Sequence, residues 1–442
     1  MSILKPFRGW RPKREFAKQV ASRPYDVLDE KEAAAEATGN PYSFYHVIKP
    51  EIDLPHLKSF YVPEVYQKGA DSFQQMVDDG VMVKDAKSSL YVYQQEMPLP
   101  SSAPKGTTHV QTGILGCAAV EDYFNGTIRI HELTRPDKEE DRKNHIRYGK
   151  MHAEPVFFAY RRNDELDAIV NRIIESEPEY DFAADDGIVH RLWVIDDAHT
   201  ISVIVKLFDS IPNTYVADGH HRTAAAALVG REMQKSNPNH TGKEDYNFFM
   251  TVNFPDTELQ IMDYNRVVRD LNGMSAEQLV ERLSEAFTIE AEVHSSRFTV
   301  HNCKPARLHE FALYLDGKWY RLNANPRTYD DSDPIKTLDV TVLSEQVLEP
   351  LLGIKDLRTD KRIDFIGGIR GMEELQRRVD SGEAAVAFAL YPVSMNQLMD
   401  IADAGLIMPP KVTWFEPKLR SGLVVHRFQA SPLPPLPRRG EP

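Results

Sequence analysis

Hydrophobic and polar positions along the chain follow two periods, and the switches between them mark the elements. A Glu/Ala-rich stretch from about Asp29 to Thr38 reads as a helix, stopped by Gly39-Asn40-Pro41. His46-Val47-Ile48 reads as a short strand before Pro50. A second helix runs from about Val62 to Asp79 and ends at Gly80. Strand-like runs follow at Leu90–Tyr93 and Gly113–Val120. Asn125-Gly126 then reads as a hairpin turn, with Thr127–Ile130 returning from it. Thr134 is placed to cap a strongly charged helix, with Pro136 and Asp137 suited to its first turn. Pro155–Tyr160, Arg191–Ile195, Thr214–Ala217 and Asn247–Phe254 are further strands with helical stretches between them. This alternation predicts an α/β fold with a mixed sheet.

After about residue 270 the texture changes. Ser275–Phe287 reads as a helix and Phe311–Leu322 as a hairpin turning at Asp316-Gly317. Val340–Leu352 reads as an amphipathic helix, Ala384–Leu390 as a buried strand, and Ser394–Ala404 as a helix ended by Gly405. The expected organisation is a catalytic region over 1–268, an α+β region over 269–430 and a Pro-rich, disordered tail over 431–442, with no internal repeat.

Composition narrows the function classes. Hydrophobic residues are 42% and charged residues 27%, as in folded globular proteins. The formal net charge of -13 disfavours a nucleic-acid partner, while leaving room for a local basic pocket. Cys117 and Cys303 are two isolated thiols, with no CxxC pair and no disulfide framework. No apolar signal core and no run of about 18 apolar residues occurs, so a cytoplasmic protein without a membrane partner is expected. The oligomeric state is not specified by the pattern; a homodimer is compatible with it.

Several familiar scaffolds are missing: there is no G-x-G-x-x-G, no G-x-x-x-x-G-K-[ST], no H-E-x-x-H and no G-x-S-x-G. The segment that stands out is Thr214–Ala227, in which a short strand enters the turn Asp218-Gly219-His220-His221-Arg222 before an alanine-rich helix. Gly219 permits a tight turn and close approach of a ligand. The free N–H groups at the helix start favour an anion, and His220, His221 and Arg222 add donors or charge. Asp218 suits Mg²⁺ or a proton from a substrate hydroxyl. The plain alternative is a solvated Asp-Gly turn.

A second constellation is His131-Glu132 followed by Thr134–Arg142. Arg135, Lys138 and Arg142 recur at helical spacing and could clamp a polyphosphate. Glu132 precedes the helix as a candidate base or metal ligand. The plain alternative is a solvated helix with local ion pairs. Arg23-Pro24-Tyr25-Asp26 and Asp263–Arg266 read by themselves as structural turns.

These segments, together with Pro6-Phe7-Arg8-Gly9 and the ending Met408–Leu419, closely resemble the bacterial family called domain of unknown function 1015, over about residues 3 to 426. Through D-G-H-H-R that family is similar to the ParB/sulfiredoxin superfamily, whose members bind nucleotide phosphates at a G-x-[HR]-R turn. The resemblance implies a ParB/sulfiredoxin-like nucleotide-binding core and phosphate-binding roles for Gly219, His221 and Arg222. Sulfiredoxins carry a catalytic Cys where this chain has His220, so sulfinic-acid repair is not expected. The remaining precedent is the free-serine kinases. It implies a Mg²⁺-dependent transfer from ATP or ADP to free L-serine, with Asp26, Glu132 or Asp218 as the catalytic acid. Two rival expectations are a nucleotide-hydrolysing switch and a non-catalytic sensor of a phosphorylated metabolite.

Overall fold

The computed structural model describes residues 1–99, 106–291, 299–300 and 302–428. The expected Pro-rich tail at 431–442 lies outside them. Among the described residues the chain divides into two compact units: one of 1–97, 110–259 and 417–428, the other of 98–99, 106–109, 260–291, 299–300 and 302–416. Relative to the expected break at 268/269, residues 260–268 fall in the second unit and the last stretch, from Pro417, returns to the first.

The first unit holds an eight-stranded mixed sheet. Its order is Ile128–Arg129, Thr214–Asp218, Val156–Tyr160, Phe248–Pro255, Thr108–Ala119, Leu90–Pro98, Val189–Ile195 and Tyr180–Ala183. Thr214–Asp218 lies parallel to Ile128–Arg129 and antiparallel to Val156–Tyr160. The register against Val156–Tyr160 slips between Val216 and Asp218, a bulge at the end where the strand enters the following helix. That helix, His220–Ser236, buries Ala225, Ala226, Ala227, Val229 and Met233 against Val156, Phe158, Val216 and Phe249. Its alanines let the helix lie close to the strands. Asp164–Ile174 and Ala198–Asp209 build a separate core around Leu166, Ile204, Phe208 and Trp193.

The second unit holds a six-stranded antiparallel sheet in the order Phe287–Ala291, Lys318–Ala324, Glu310–Leu315, Val386–Leu390, Tyr264–Val268, Ile363–Gly367. The hairpin turns at Asp316-Gly317 as expected, with both residues at positive φ. Among the described residues no helix is long and apolar enough to cross a membrane.

Four local expectations are corrected. His46-Val47-Ile48 is the end of a short helix, Tyr45–Ile48, in which Tyr45, Val47 and Ile48 are buried and His46 Nδ1 meets Asp53 at 2.9 Å. Asn125-Gly126 closes a five-residue helix, Val120–Phe124, with Gly126 left-handed after it; the next strand pairs in parallel with Thr214–Asp218. An Asn-Gly pair satisfies either ending, and the helical stretch before it decides. Thr134 does not cap. The cap position is Arg135, and the Thr134 hydroxyl donates to Glu139 at 2.9 Å. The expected helix up to Phe287 stops at Leu283, and Phe287 opens a strand.

Candidate functional site

Three neighbouring strand ends assemble the site. Ile128–Arg129 leads out to His131 and Glu132, Glu154 and Pro155 lead into Val156–Tyr160, and Thr214–Asp218 leads into the turn between them. At the turn Gly219 has φ +96, a left-handed conformation that a side chain would strain. A Cβ there would also lie 3.1 Å from Nε and Nη2 of Arg222. Glycine thus serves both the turn and the approach of that guanidinium.

Arg222 is buried and donates from Nη1 to the Pro155 carbonyl at 2.7 Å, while its Nε is buried without a hydrogen-bond partner. Burial opposes its charge, but Asp26, Glu154 and Asp218 outweigh that and raise its pKa. An unmatched charged N–H in a dry environment is a strong preference for an incoming anion.

Asp218 is 3.1 Å from Lys418 Nζ and 3.8 Å from Arg222 Nη2. Burial alone would raise its carboxyl. Lys418 and Arg222 reverse this and hold it at about 2. A carboxylate so stabilised is a weak proton acceptor. His220 is buried with its ring against His131, centroids 4.4 Å apart, and its Nδ1 lies 3.9 Å from Glu132. Its Nε2 faces the His131 backbone N–H at 3.4 Å. Burial pushes His220 well below the ordinary histidine range and His131 to about 4, so both are neutral. His221 accepts from the Arg135 backbone N–H at 3.0 Å, which ties the turn to the charged helix. Burial lowers its pKa too, against the pull of Asp26.

Asp26 is exposed, and its charge is the strongest felt by both Arg222 and His221. Its neighbour Tyr25 lies under the Arg142 guanidinium, 3.7 Å from its carbon, and donates its backbone N–H to Glu154 at 3.1 Å. Arg142 is itself buried, 2.6 Å from Asp141 and 3.5 Å from Glu154. The expected basic clamp is therefore divided. Arg142 turns inward to buried acids, Lys138 reaches Tyr61 at 3.2 Å, and the Arg135 side chain pairs with its own Asp137 at 2.8 Å. Intrahelical pairing also occurs, between Glu140 and Lys143 at 2.9 Å.

Among the described residues no three His, Cys, Asp or Glu side chains gather as a metal site. Asp218, the expected metal ligand, already faces two cations.

A family model described as "Protein of unknown function (DUF1015)" matches residues 4–341. The chain belongs to the DUF1015 family. A search of curated protein sequences finds no match. Solved structures similar to this DUF1015 chain include a variant of a free serine kinase in complex with AMP, at 13% identity and a TM-score of 0.35, covering 74% of this chain and 97% of that one. A conserved hypothetical protein from Pyrococcus furiosus has 12% identity and a TM-score of 0.33, covering 71% and 95%. SbnI with a C-terminal truncation, from Staphylococcus aureus, has 12% identity and a TM-score of 0.32, covering 71% and 87%.

In this DUF1015 chain Lys418 and Glu154 stand beside Asp218 and Arg142, though the sequence marks neither as a site residue. Lys418 reaches Asp218 from 200 positions away, at the return of the chain to the first unit. Glu154 carried a weak signal, an acid beside Pro155 at a strand entrance.

Proposed function

We propose that this chain is a nucleotide-dependent phosphotransferase acting on a small hydroxyl substrate, with free L-serine as the acceptor and ATP or ADP as the donor. The observation that carries the reading is the buried, unmatched Nε of Arg222 beneath the glycine turn at the start of a 17-residue helix. A phosphate at this turn would meet backbone N–H groups, the positive helix end and a guanidinium held charged. Gly219 keeps the approach clear, and His221 and the Arg135 backbone brace the turn. Asp218 holds Lys418 beside it.

Asp26 is the candidate base. It is exposed, its charge acts on both Arg222 and His221, and it can accept the hydroxyl proton as the oxygen attacks the terminal phosphorus, the phosphoanhydride bond breaks and ADP or AMP leaves. Glu132 is the alternative. A Mg²⁺ ion entering with the nucleotide would be held chiefly by the phosphates, whose charge it would offset, and Asp26 and Glu132 are the carboxylates that would complete its ligands.

Phosphorus NMR of the protein with Mg²⁺, L-serine and either ATP or ADP tests the reading. Phosphoserine is expected from the wild type and from Glu132→Gln at reduced rate, but not from Asp26→Asn. Free phosphate without phosphoserine would replace the kinase with a nucleotide-hydrolysing switch. Ligand-induced stabilisation without turnover would replace it with a sensor.

A further inference from the structure

Behind Arg222 the first unit contains a cavity of about 50 Å³. That is room for on the order of four water-sized bodies, too little for a sugar or a nucleoside. Its walls are mixed. Val47, Ile48 and Phe249 are apolar, whereas Arg142, Glu154 and Arg222 bring three buried charged groups to the same space. Arg142 Nη1 and Glu154 Oε2 stand 3.5 Å apart, beyond a tight ion pair. Glu154 is kept in place by the Tyr25 N–H at 3.1 Å and the Ser421 hydroxyl at 3.3 Å. A cavity with one fixed anion and two fixed cations, in a wall otherwise mostly apolar apart from Tyr66, His145 and His152, matches a small molecule that carries both charges.

We propose that this cavity is the acceptor pocket and that it selects a small zwitterion, an α-amino acid, with Glu154 taking the ammonium and Arg142 the carboxylate. The proposal rests on the phosphotransferase reading and deepens it. Arg222 is common to the cavity and the turn, so an amino acid seated here directs a short side-chain hydroxyl to the phosphate. The limited volume excludes long side chains, and the two opposite charges exclude alcohols that lack either group.

Calorimetric binding separates this from turnover, because L-alanine fills the same pocket but has no hydroxyl to phosphorylate. L-Alanine, ethanolamine and L-lactate would be titrated into the wild type, with and without ADP. Alanine is expected to bind at least about tenfold more tightly than the other two, each of which leaves one buried charge unpaired. Glu154→Gln should weaken alanine by about tenfold or more. Ala70→Leu, which fills the cavity from the helix Pro63–Asp78, should abolish alanine binding while ADP still binds. Lactate or ethanolamine binding as well as alanine, no alanine binding by the wild type, or unchanged alanine affinity in a folded Ala70→Leu would each overturn the proposal. Failure of ADP to bind, with alanine binding intact, would instead count against the phosphotransferase reading.

Discussion

Gly219 is the residue on which the turn depends. At its φ of +96 a side chain would be strained, and a Cβ would lie 3.1 Å from the Arg222 guanidinium, which would have to shift. Gly219→Ala should cost on the order of 1–3 kcal/mol of stability, read by urea unfolding, because strain and a displaced guanidinium act together. An unchanged midpoint would show that the turn relaxes freely. Lys418 is the second single residue with a measurable signature. Lys418→Met should raise the Asp218 carboxyl above its value of about 2, followed by carbon-13 NMR of the carboxyl; no movement would remove Lys418 from the site. Asp218, Gly219, His221 and Arg222 were legible as a group because strand, glycine and helix signals met there. Lys418 was not, because nothing local to it marks a partner 200 positions away.

At the scale of elements, the charged helix Pro136–Gly149 and its cap Arg135 carry two kinds of basic residue that spacing cannot tell apart. Arg135 and Arg142 lie on one chain of helical neighbours, yet Arg135 is exposed and Arg142 is buried against Tyr25, Asp141 and Glu154. Arg142→Met would leave two buried carboxylates short of a cation and should cost about 3–5 kcal/mol. Arg135→Ala should stay within about 0.5 kcal/mol. Equal effects in denaturant melts would contradict the division. The helix itself was readable from Pro136 and its charge pattern. Which face turns inward was not, because burial of Arg142 depends on Tyr25 and Glu154, which arrive from other segments. The Asn125-Gly126 turn shows the same limit: the pair marks a chain reversal, and only the short helix before it distinguishes a helix end from a hairpin.

For the whole chain, the alternation of strands and helices announced a mixed α/β sheet, while the return of Pro417 onwards to the first unit had no sequence mark. That first unit buries His131, His152, His190, His220 and His426. Burial holds His131 at about 4 and His190 and His426 at about 3, against an ordinary value of 6.5. Between those limits the unfolded chain binds more protons than the folded one. Stability therefore falls as pH drops from about 6.5 toward 4, and these groups add nothing to the slope above that window. Melting temperatures measured from pH 8 to 4.5 should be level at first and then decline; a flat profile down to pH 4.5 would mean that these histidines titrate normally in the fold. The chain's central feature nevertheless remains local, a glycine turn with a buried guanidinium whose Nε has no hydrogen-bond partner. The most direct measurement is calorimetric titration of ADP into the wild type and His221→Ala. Binding by the wild type, weakened by about tenfold in the variant, is the predicted result; equal affinity in both, or none in either, would contradict it.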